Sequence, residues 1–419
     1  MVLNLLTVFW GILLLVNFKK FFIVFMAFAV WISCFFSPTA SVFPAVSMVA
    51  FVLFLINYEK MTQNVIVTKF PMMLSFVLLF ISLTCSNFLT GNPHYNDYVT
   101  RICVQLLNIF MLWCLFENNP QYSIPIFIKS SIVFAILLCG YGFFEAFTRS
   151  NPFVSLMDSI GAYNDPFLIK EIRFGVKRTQ SLLLMHTTLA GICISLFAML
   201  VVCSDRITQN SKMKALIIAL IIMTFFTGSR SGILAIVIAM AMLIRQFTPQ
   251  KLLGVILAFI LLAVFQSYFD TIFQSFSNTN SVGGSSSDMR EVQFEIALNG
   301  LINHFWLGNG LGYTFSDAFY VPELFGAESL WIPIAVDQGV LGCFATLAFF
   351  IQSLVYCIKQ GKFNYCFYVL AMFVLFSMTS VPQYNFTNTF IYLYIMIRVN
   401  DVFANTTVPF SQDDYNISY

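Results

Sequence analysis

The chain has 419 residues, of which 59% are hydrophobic and only 10% are charged. Soluble globular domains contain about 25% charged residues, so this composition excludes an ordinary soluble protein and predicts one that crosses a membrane repeatedly. The formal net charge is +2 and the sequence contains no basic run or patch, so no nucleic-acid partner is expected.

Apolar segments of membrane-spanning length recur along the chain. A hydrocarbon core of about 30 Å requires roughly 17 to 25 apolar residues per helix. By that measure the predicted spans lie near 2–17, 21–36, 42–57, 70–89, 99–116, 124–147, 181–203, 214–228, 231–246, 252–268, 328–358, 363–380 and 386–399. The first two are short and could form one bent element. The sequence therefore predicts an all-α polytopic membrane protein with about 12 or 13 transmembrane helices.

Basic residues indicate the orientation of these helices. Lys19, Lys60, Lys212, Lys359 and Arg398 are among those that fall in alternate loops. The positive-inside rule assigns these loops, and with them the C-terminal tail, to the cytoplasm. The remaining loops then lie on the outer side of the membrane.

Two outer loops are long enough to contain structure, 148–180 and 269–327. They divide the chain into four predicted regions: N-terminal helices with the first large outer loop at 1–180, central helices at 181–268, the long outer loop at 269–327, and C-terminal helices with a tail at 328–419.

The cysteines and histidines give no sign of a metal site. All ten cysteines lie within or at the ends of apolar runs and form no CxxC pair, which is typical of small packing residues. His186 lies inside an apolar run, and neither His94 nor His304 has ligand spacing with it, so we expect it to hydrogen-bond a neighbouring helix. The sequence predicts no metal and no cofactor.

The long outer loop changes character along its length. It begins with a flexible Ser/Asn/Gly stretch and then places Val292, Ile296, Leu298 and Ile302 at near-helical spacing after Asp288, which could cap a helix. This pattern predicts an amphipathic helix near the membrane surface. The run N-H-F-W-L-G-N-G-L-G-Y follows, and its three glycines suit a tight turn or a close backbone approach to a ligand.

Three arginines are placed on the outer side by this topology: Arg178, Arg230 and Arg290. Arg230 interrupts two apolar segments, where a guanidinium costs about 2.5 kcal/mol or more unless it reaches water, headgroups or an anion. Guanidinium groups bind phosphate oxygens in a fork, so three that converge could hold a pyrophosphate without a metal. Taken alone, Arg230 could instead reach the interface, and Arg178 and Arg290 could be solvated loop residues.

Glu328 lies where the long loop re-enters the membrane. A partly desolvated carboxylate there can accept a proton from a hydroxyl, which makes Glu328 a candidate catalytic base. Taken alone, it could equally be a helix-start residue that the helix dipole stabilises.

Four segments together resemble the bacterial O-antigen polymerase and ligase superfamily, which includes the Wzy-type polysaccharide polymerases. They are R-T-Q-S-L-L-L-M-H-T-T-L-A-G from Arg178, T-G-S-R-S-G-I-L-A around Arg230, R-E-V-Q-F-E-I-A-L-N-G-L-I-N-H-F-W-L-G-N-G-L-G from Arg290, and E-S-L-W-I-P-I-A-V-D-Q-G-V-L-G from Glu328. They occur in the family's order, between Arg178 and Gly342. Ligases of the superfamily resemble one another in having His-Asn where this chain has Glu328-Ser329, so polymerase is the favoured activity.

The resemblance implies a GT-C-like membrane glycosyltransferase in the bacterial inner membrane, with its active face in the periplasm. Its substrate would be an oligosaccharide on undecaprenyl pyrophosphate, extended into O-antigen or capsular polysaccharide. Arg178, Arg230 and Arg290 would bind the pyrophosphate and Glu328 would activate the acceptor hydroxyl. The expected partners are the lipid-linked substrate, the lipid bilayer and a chain-length regulator protein.

Two alternatives stay open at this point. An O-antigen ligase would use the same donor but transfer the glycan to lipid A core or another acceptor. A polysaccharide flippase or anion transporter would also combine many helices with buried arginines. Against transport, few charges lie at the middle of the predicted spans, Glu145 near one span end being an exception, and no internal repeat is visible.

Overall fold

The computed structural model describes residues 2–37, 40–66, 69–90, 95–102, 106–159, 172–173, 176–204, 211–245, 287–315, 329–379 and 384–403. The predicted span at 252–268 and the candidate base Glu328 lie outside these residues. Within them helix predominates, and the strands are two antiparallel pairs of two residues each. The predicted all-α class is therefore confirmed.

The helices follow one another with short connections. Those before residue 160 are α1 (Val2–Val16), α2 (Phe18–Ala27), α3 (Ala29–Ile32), α4 (Val42–Ile56), α5 (Tyr58–Thr62), α6 (Met73–Leu89), α7 (Tyr95–Ile102), α8 (Asn108–Asn118), α9 (Pro120–Thr148) and α10 (Pro152–Ser159). Those after it are α11 (His186–Ser204), α12 (Ser211–Phe226), α13 (Arg230–Met240), α14 (Ser287–Asn303), α15 (Trp331–Lys359), α16 (Cys366–Ser377) and α17 (Tyr384–Phe403).

The strands are β1 (Phe36–Ser37) paired with β2 (Ala40–Ser41), and β3 (Ile172–Arg173) paired with β4 (Val176–Lys177). Each pair is a short hairpin in an outer loop of the predicted topology.

Apolar composition and length make α9, α11 and α15 long enough to cross a membrane. Six shorter apolar helices accompany them in the described part of the chain, so the polytopic prediction is confirmed. The middle of the bundle is α11, in which all residues except Thr187 and Ser204 are buried. A helix that is apolar on every side must be covered by others, and α9, α12, α13, α16 and α17 pack around it.

The outside of the bundle is also apolar. On α15 the side chains of Phe344, Leu347, Ile351, Val355 and Ile358 are exposed at spacings of three and four residues. This spacing places them on one face of the helix. An exposed apolar stripe of this length suits contact with lipid acyl chains.

Some predicted spans have different boundaries in the structure. The first two are separate helices, and the rings of Trp10 and Phe25 meet edge to face between them. The span at 99–116 consists of two helices, α7 and α8. α11 begins at His186 and not at 181, because Ser181 has a left-handed backbone with φ of 54°, which a helix cannot include.

The predicted loop helix is present as α14, with Asp288 in its first turn. Its apolar residues are arranged differently from the prediction. Ala297 is buried against Ile332 and Val336 of α15. Ile296 packs beside this contact, whereas Val292, Leu298 and Ile302 lie on the exposed face of α14.

Candidate functional site

The first part of the site is the segment that leads into α11. Arg178 is only 6% exposed, and its Nε donates to the carbonyl oxygen of Thr227 over 3.2 Å. The backbone N–H of Thr179 donates to the carbonyl oxygen of Phe226 over 3.0 Å. The interpretation of Arg178 as a solvated loop residue is therefore wrong, since the side chain lies against the turn between α12 and α13.

That turn positions Arg230 at the start of α13. Ser229 caps the helix, since its Oγ accepts a hydrogen bond from Gly232 N over 3.2 Å. A Cβ on Gly232 would lie 2.8 Å from the Cβ of Ala190, so this glycine allows α13 to pack closely on α11. The S-R-S-G sequence thus provides a cap, the arginine and a small contact residue in order.

Arg178 and Arg230 are brought to the same turn, because the carbonyl that Arg178 contacts belongs to Thr227, three residues before Arg230. The N-terminus of α13 also lies there. Two guanidinium-bearing residues beside the positive end of a helix dipole suit an anionic ligand such as a phosphate. The contact between Arg178 and Thr227 could not be predicted from the sequence, because the two residues are far apart in the chain. The sequence predicted only that Arg178 and Arg230 lie on the outer side.

A buried carboxylate supports this segment. Glu145, at the end of α9, is fully buried, and its Oε2 accepts hydrogen bonds from the N–H groups of Gln180 and Ser181 over 2.9 and 2.7 Å. Asn151 Nδ2 donates to the carbonyl oxygen of Ser181 over 2.9 Å. The sequence indicated Glu145 only as a charge near the end of a predicted span, and gave no sign of what it binds.

A second buried carboxylate holds the glycine-rich loop. Asp337 of α15 is fully buried; its Oδ2 accepts from Gly312 N over 3.0 Å, and its Oδ1 accepts from Thr314 N and Oγ1 over 2.8 and 2.6 Å. The N–H of Gly310 donates to the Asp337 carbonyl oxygen over 3.1 Å. Sequence reasoning did not identify Asp337, which lies in an apolar helix and has its partners in a distant loop.

The glycines make this contact close. α15 is interrupted at Gly339, where φ is 66° and ψ is −161°, and the loop packs into the kink. A Cβ on Gly308 would lie 2.4 Å from the carbonyl carbon of Asp337. A Cβ on Gly339 would lie 2.6 Å from the backbone nitrogen of Gly308. The close backbone approach that the sequence predicted is therefore made to a helix of the same chain.

The start of α15 lies at the same end of the bundle as Arg230. The turn after α13, Ala241–Arg245, contacts the turn before α16, Phe363–Tyr365, so these packed helices run antiparallel. The last turn of α16 then lies beside the start of α13. That turn accepts hydrogen bonds from α15 and the residue before it: Leu330 N donates to the Phe376 carbonyl oxygen over 3.0 Å, and Trp331 Nε1 to Ser377 Oγ over 2.9 Å.

The other two predicted site residues are Glu328 and Arg290. Glu328 lies outside the described residues, next to Ser329 in the chain. Arg290 lies in the first turn of α14, and the structure describes its backbone but not its side chain. The structure thus brings Arg178 and Arg230 together, and it leaves the contribution of Arg290 and Glu328 to that site as a prediction.

No metal-binding group is formed by the residues that the structure describes, since none of their His, Cys, Asp and Glu side chains cluster in threes. The described cysteines are unpaired thiols, mostly buried in the helical core.

These features define a polytopic helical membrane protein with an arginine-bearing turn at one end of its bundle. Comparison with known families gives a more particular result: residues 215–347 match the family model described as O-antigen ligase. This match confirms the resemblance to the O-antigen polymerase and ligase superfamily that the sequence predicted. No curated protein matches the chain.

The matched segment is about a third of the chain. It contains Arg230, Arg290, Glu328 and the kink at Gly339, but it does not contain Arg178. The contacts between Arg178 and the turn before α13 connect the matched segment to the helices that precede it.

Proposed function

We propose that this chain is an integral membrane glycosyltransferase that polymerises undecaprenyl-pyrophosphate-linked oligosaccharide repeat units at the periplasmic face of the bacterial inner membrane. The observation that carries the proposal is the buried Arg178 side chain bonded to Thr227, beside Arg230 at the start of α13. A pyrophosphate leaving group needs such a set of fixed positive groups, because negative charge develops on it as the glycosidic bond breaks.

In the proposed reaction, a hydroxyl at the non-reducing end of one lipid-linked repeat unit attacks the anomeric carbon of a growing chain on a second lipid. The new glycosidic bond forms as the bond from the anomeric carbon to the pyrophosphate oxygen breaks. Undecaprenyl pyrophosphate leaves, stabilised by Arg178, Arg230 and Arg290, and the acceptor proton passes to Glu328. The arginines provide the charge stabilisation, so the proposal requires no metal ion.

Ligase activity is the second candidate. It would use the same donor and the same arginines but transfer the glycan to lipid A core or another acceptor. The observation that favours polymerisation is Glu328-Ser329. This pair stands where the ligases of the superfamily share His-Asn.

The test uses the purified chain in detergent with a lipid-pyrophosphate-linked repeat unit, and the glycan products are separated on a gel. A ladder of repeat-unit multiples without another acceptor supports polymerisation. A donor that is consumed only when lipid A core is added supports the ligase. A donor that remains unchanged in both reactions contradicts both transferase activities and leaves transport as the explanation.

The arginine roles are tested in the same reaction. Arg178→Ala and Arg230→Ala should each lower the rate roughly 100-fold or more, because each removes a group that stabilises the transition state. The matched control is Arg398→Ala at the opposite end of the bundle, where Arg398 Nη2 contacts Glu117 Oε2 over 3.3 Å. Normal ladder length in either of the first two variants would refute the pyrophosphate role.

A further inference from the structure

We infer that Glu145 is the positioning residue for Arg178, and so a determinant of pyrophosphate binding that lies outside the family-matched segment. The inference rests on the proposed function, because it assigns to Glu145 the orientation of a group that binds the donor. Glu145 itself is fully buried at the end of α9 and would not touch the substrate.

Burial of the Glu145 carboxylate carries a free-energy cost that its hydrogen bonds must offset. A buried carboxylate is destabilising unless it is hydrogen-bonded. The oxygen Oε2 of Glu145 accepts from two successive backbone N–H groups, of Gln180 and Ser181. In an extended backbone successive N–H groups point to opposite sides, so their convergence on one oxygen requires a bent segment, and Ser181 there has the left-handed φ of 54°. The carboxylate thus stabilises a conformation that the segment would not adopt by itself.

The segment from Arg178 to Ser181 is held in place at both of its ends. Ser181 Oγ donates to the Leu138 carbonyl oxygen over 2.6 Å, and the Ser181 carbonyl oxygen accepts from Asn151 Nδ2 over 2.9 Å. Only two residues separate Ser181 from Arg178. The contacts around Ser181 therefore attach this end of the segment to α9, and Thr179 attaches the other end to α12.

This anchoring fixes the position of the Arg178 guanidinium. Arg178 reaches the carbonyl oxygen of Thr227 only if its backbone is held at the correct distance from the turn. Release of Gln180 and Ser181 would leave the Arg178 backbone tied through Thr179 alone. The guanidinium would then have to be ordered when the ligand binds, and ordering a long side chain lowers affinity.

Binding of undecaprenyl pyrophosphate to the purified full chain tests the inference, with undecaprenyl monophosphate as the comparison ligand. Glu145→Ala should weaken pyrophosphate binding about ten-fold or more. Glu145→Gln keeps an acceptor oxygen for the N–H groups of Gln180 and Ser181, so it should weaken pyrophosphate binding much less than Glu145→Ala and stay within about three-fold of wild type. Glu145→Asp keeps the buried charge but withdraws the oxygens by about one C–C bond, about 1.5 Å, and should behave like alanine.

The decisive comparison is a double-mutant cycle. If Glu145 acts through Arg178, Glu145→Ala should have no further effect in an Arg178→Ala background. Ser123→Ala is the matched control, since it removes one buried hydrogen bond, from Ser123 Oγ to the Leu115 carbonyl oxygen, at the other end of the same helix. It should leave pyrophosphate binding unchanged.

Two results would overturn the inference alone: pyrophosphate binding by Glu145→Ala and Glu145→Asp equal to wild type, or an effect of Glu145→Ala that is equally large with and without Arg178. A wild-type chain that transfers no glycan from the lipid-linked repeat unit would instead refute the proposed function, and one that binds undecaprenyl monophosphate as tightly as the pyrophosphate would refute the pyrophosphate role of the arginines. The two failures are therefore distinguishable.

Discussion

Alanine at Gly308 should detach the glycine-rich loop from the kink of α15. Gly308 has φ of 69°, and a Cβ there would lie 2.4 Å from the Asp337 carbonyl carbon and 2.5 Å from the Gln338 backbone nitrogen. The left-handed conformation costs a non-glycine residue about 1–2 kcal/mol. Crowding against a packed neighbour adds about 1–3 kcal/mol. The neighbouring atoms belong to the backbone, so no side-chain rotation can relieve the contact.

Alanine substitutions at Gly361 and Gly300 distinguish the cost of the left-handed conformation from the cost of crowding. Gly361 has φ of 65°, and a Cβ there would have nothing within 4 Å, so Gly361→Ala should cost only the conformational part, about 1–2 kcal/mol. Gly300 lies inside α14, and a Cβ there would make an ordinary 3.5 Å contact with Val336. Gly300→Ala should therefore stabilise the chain by about 0.5–1 kcal/mol.

Hydrogen exchange of the detergent-solubilised protein shows whether the glycine-rich loop stays bound to Asp337. The N–H groups of Gly310, Gly312 and Thr314 all donate to Asp337, so they should be protected in wild type and exchange faster in Gly308→Ala. Unfolding in denaturant gives the free-energy change. The reasoning is refuted if Gly308→Ala unfolds like Gly361→Ala and these three amides stay protected.

Two further predictions concern the packing around the site. Asp337→Ala should destabilise the chain by about 3–5 kcal/mol, because it leaves the buried N–H and hydroxyl of Thr314 and the half-buried N–H of Gly312 without their acceptor; a denaturation midpoint equal to wild type would contradict this. Gly232→Ala should separate α13 from α11, with a loss of about 1–3 kcal/mol, and Ala190→Gly should restore much of it by removing the atom 2.8 Å away. Independent, additive effects of the two changes in the same assay would argue against this contact.

Much of the fold could be predicted because hydropathy is a local property. The positions of α4, α6, α9 and α12 follow from runs of apolar residues in the sequence. The predicted helix boundaries were less accurate where a contact with a residue distant in sequence fixes the backbone conformation. α11 begins five residues later than predicted, since the residues before it are held by Glu145.

The candidate site was predicted in part. The sequence placed Arg178 and Arg230 on one side of the membrane and named Arg290 and Glu328 with them. It did not predict that Arg178 is buried, because burial depends on Thr227, which lies 49 residues away. It also did not identify Glu145, since a single acid at the end of an apolar run has no pattern that names its partners.

The sequence by itself determined the helical membrane class and the resemblance to the O-antigen polymerase and ligase superfamily, and it predicted an outer placement of the arginines. Each of these depends on composition, loop charge or short motifs, which are read within a few tens of residues. Only the tertiary structure decided that the glycine-rich loop packs against the kink at Gly339 and that Glu145 holds the segment of Arg178. Those contacts join residues far apart in the chain, and a buried carboxylate is stabilised only by donors that folding brings to it.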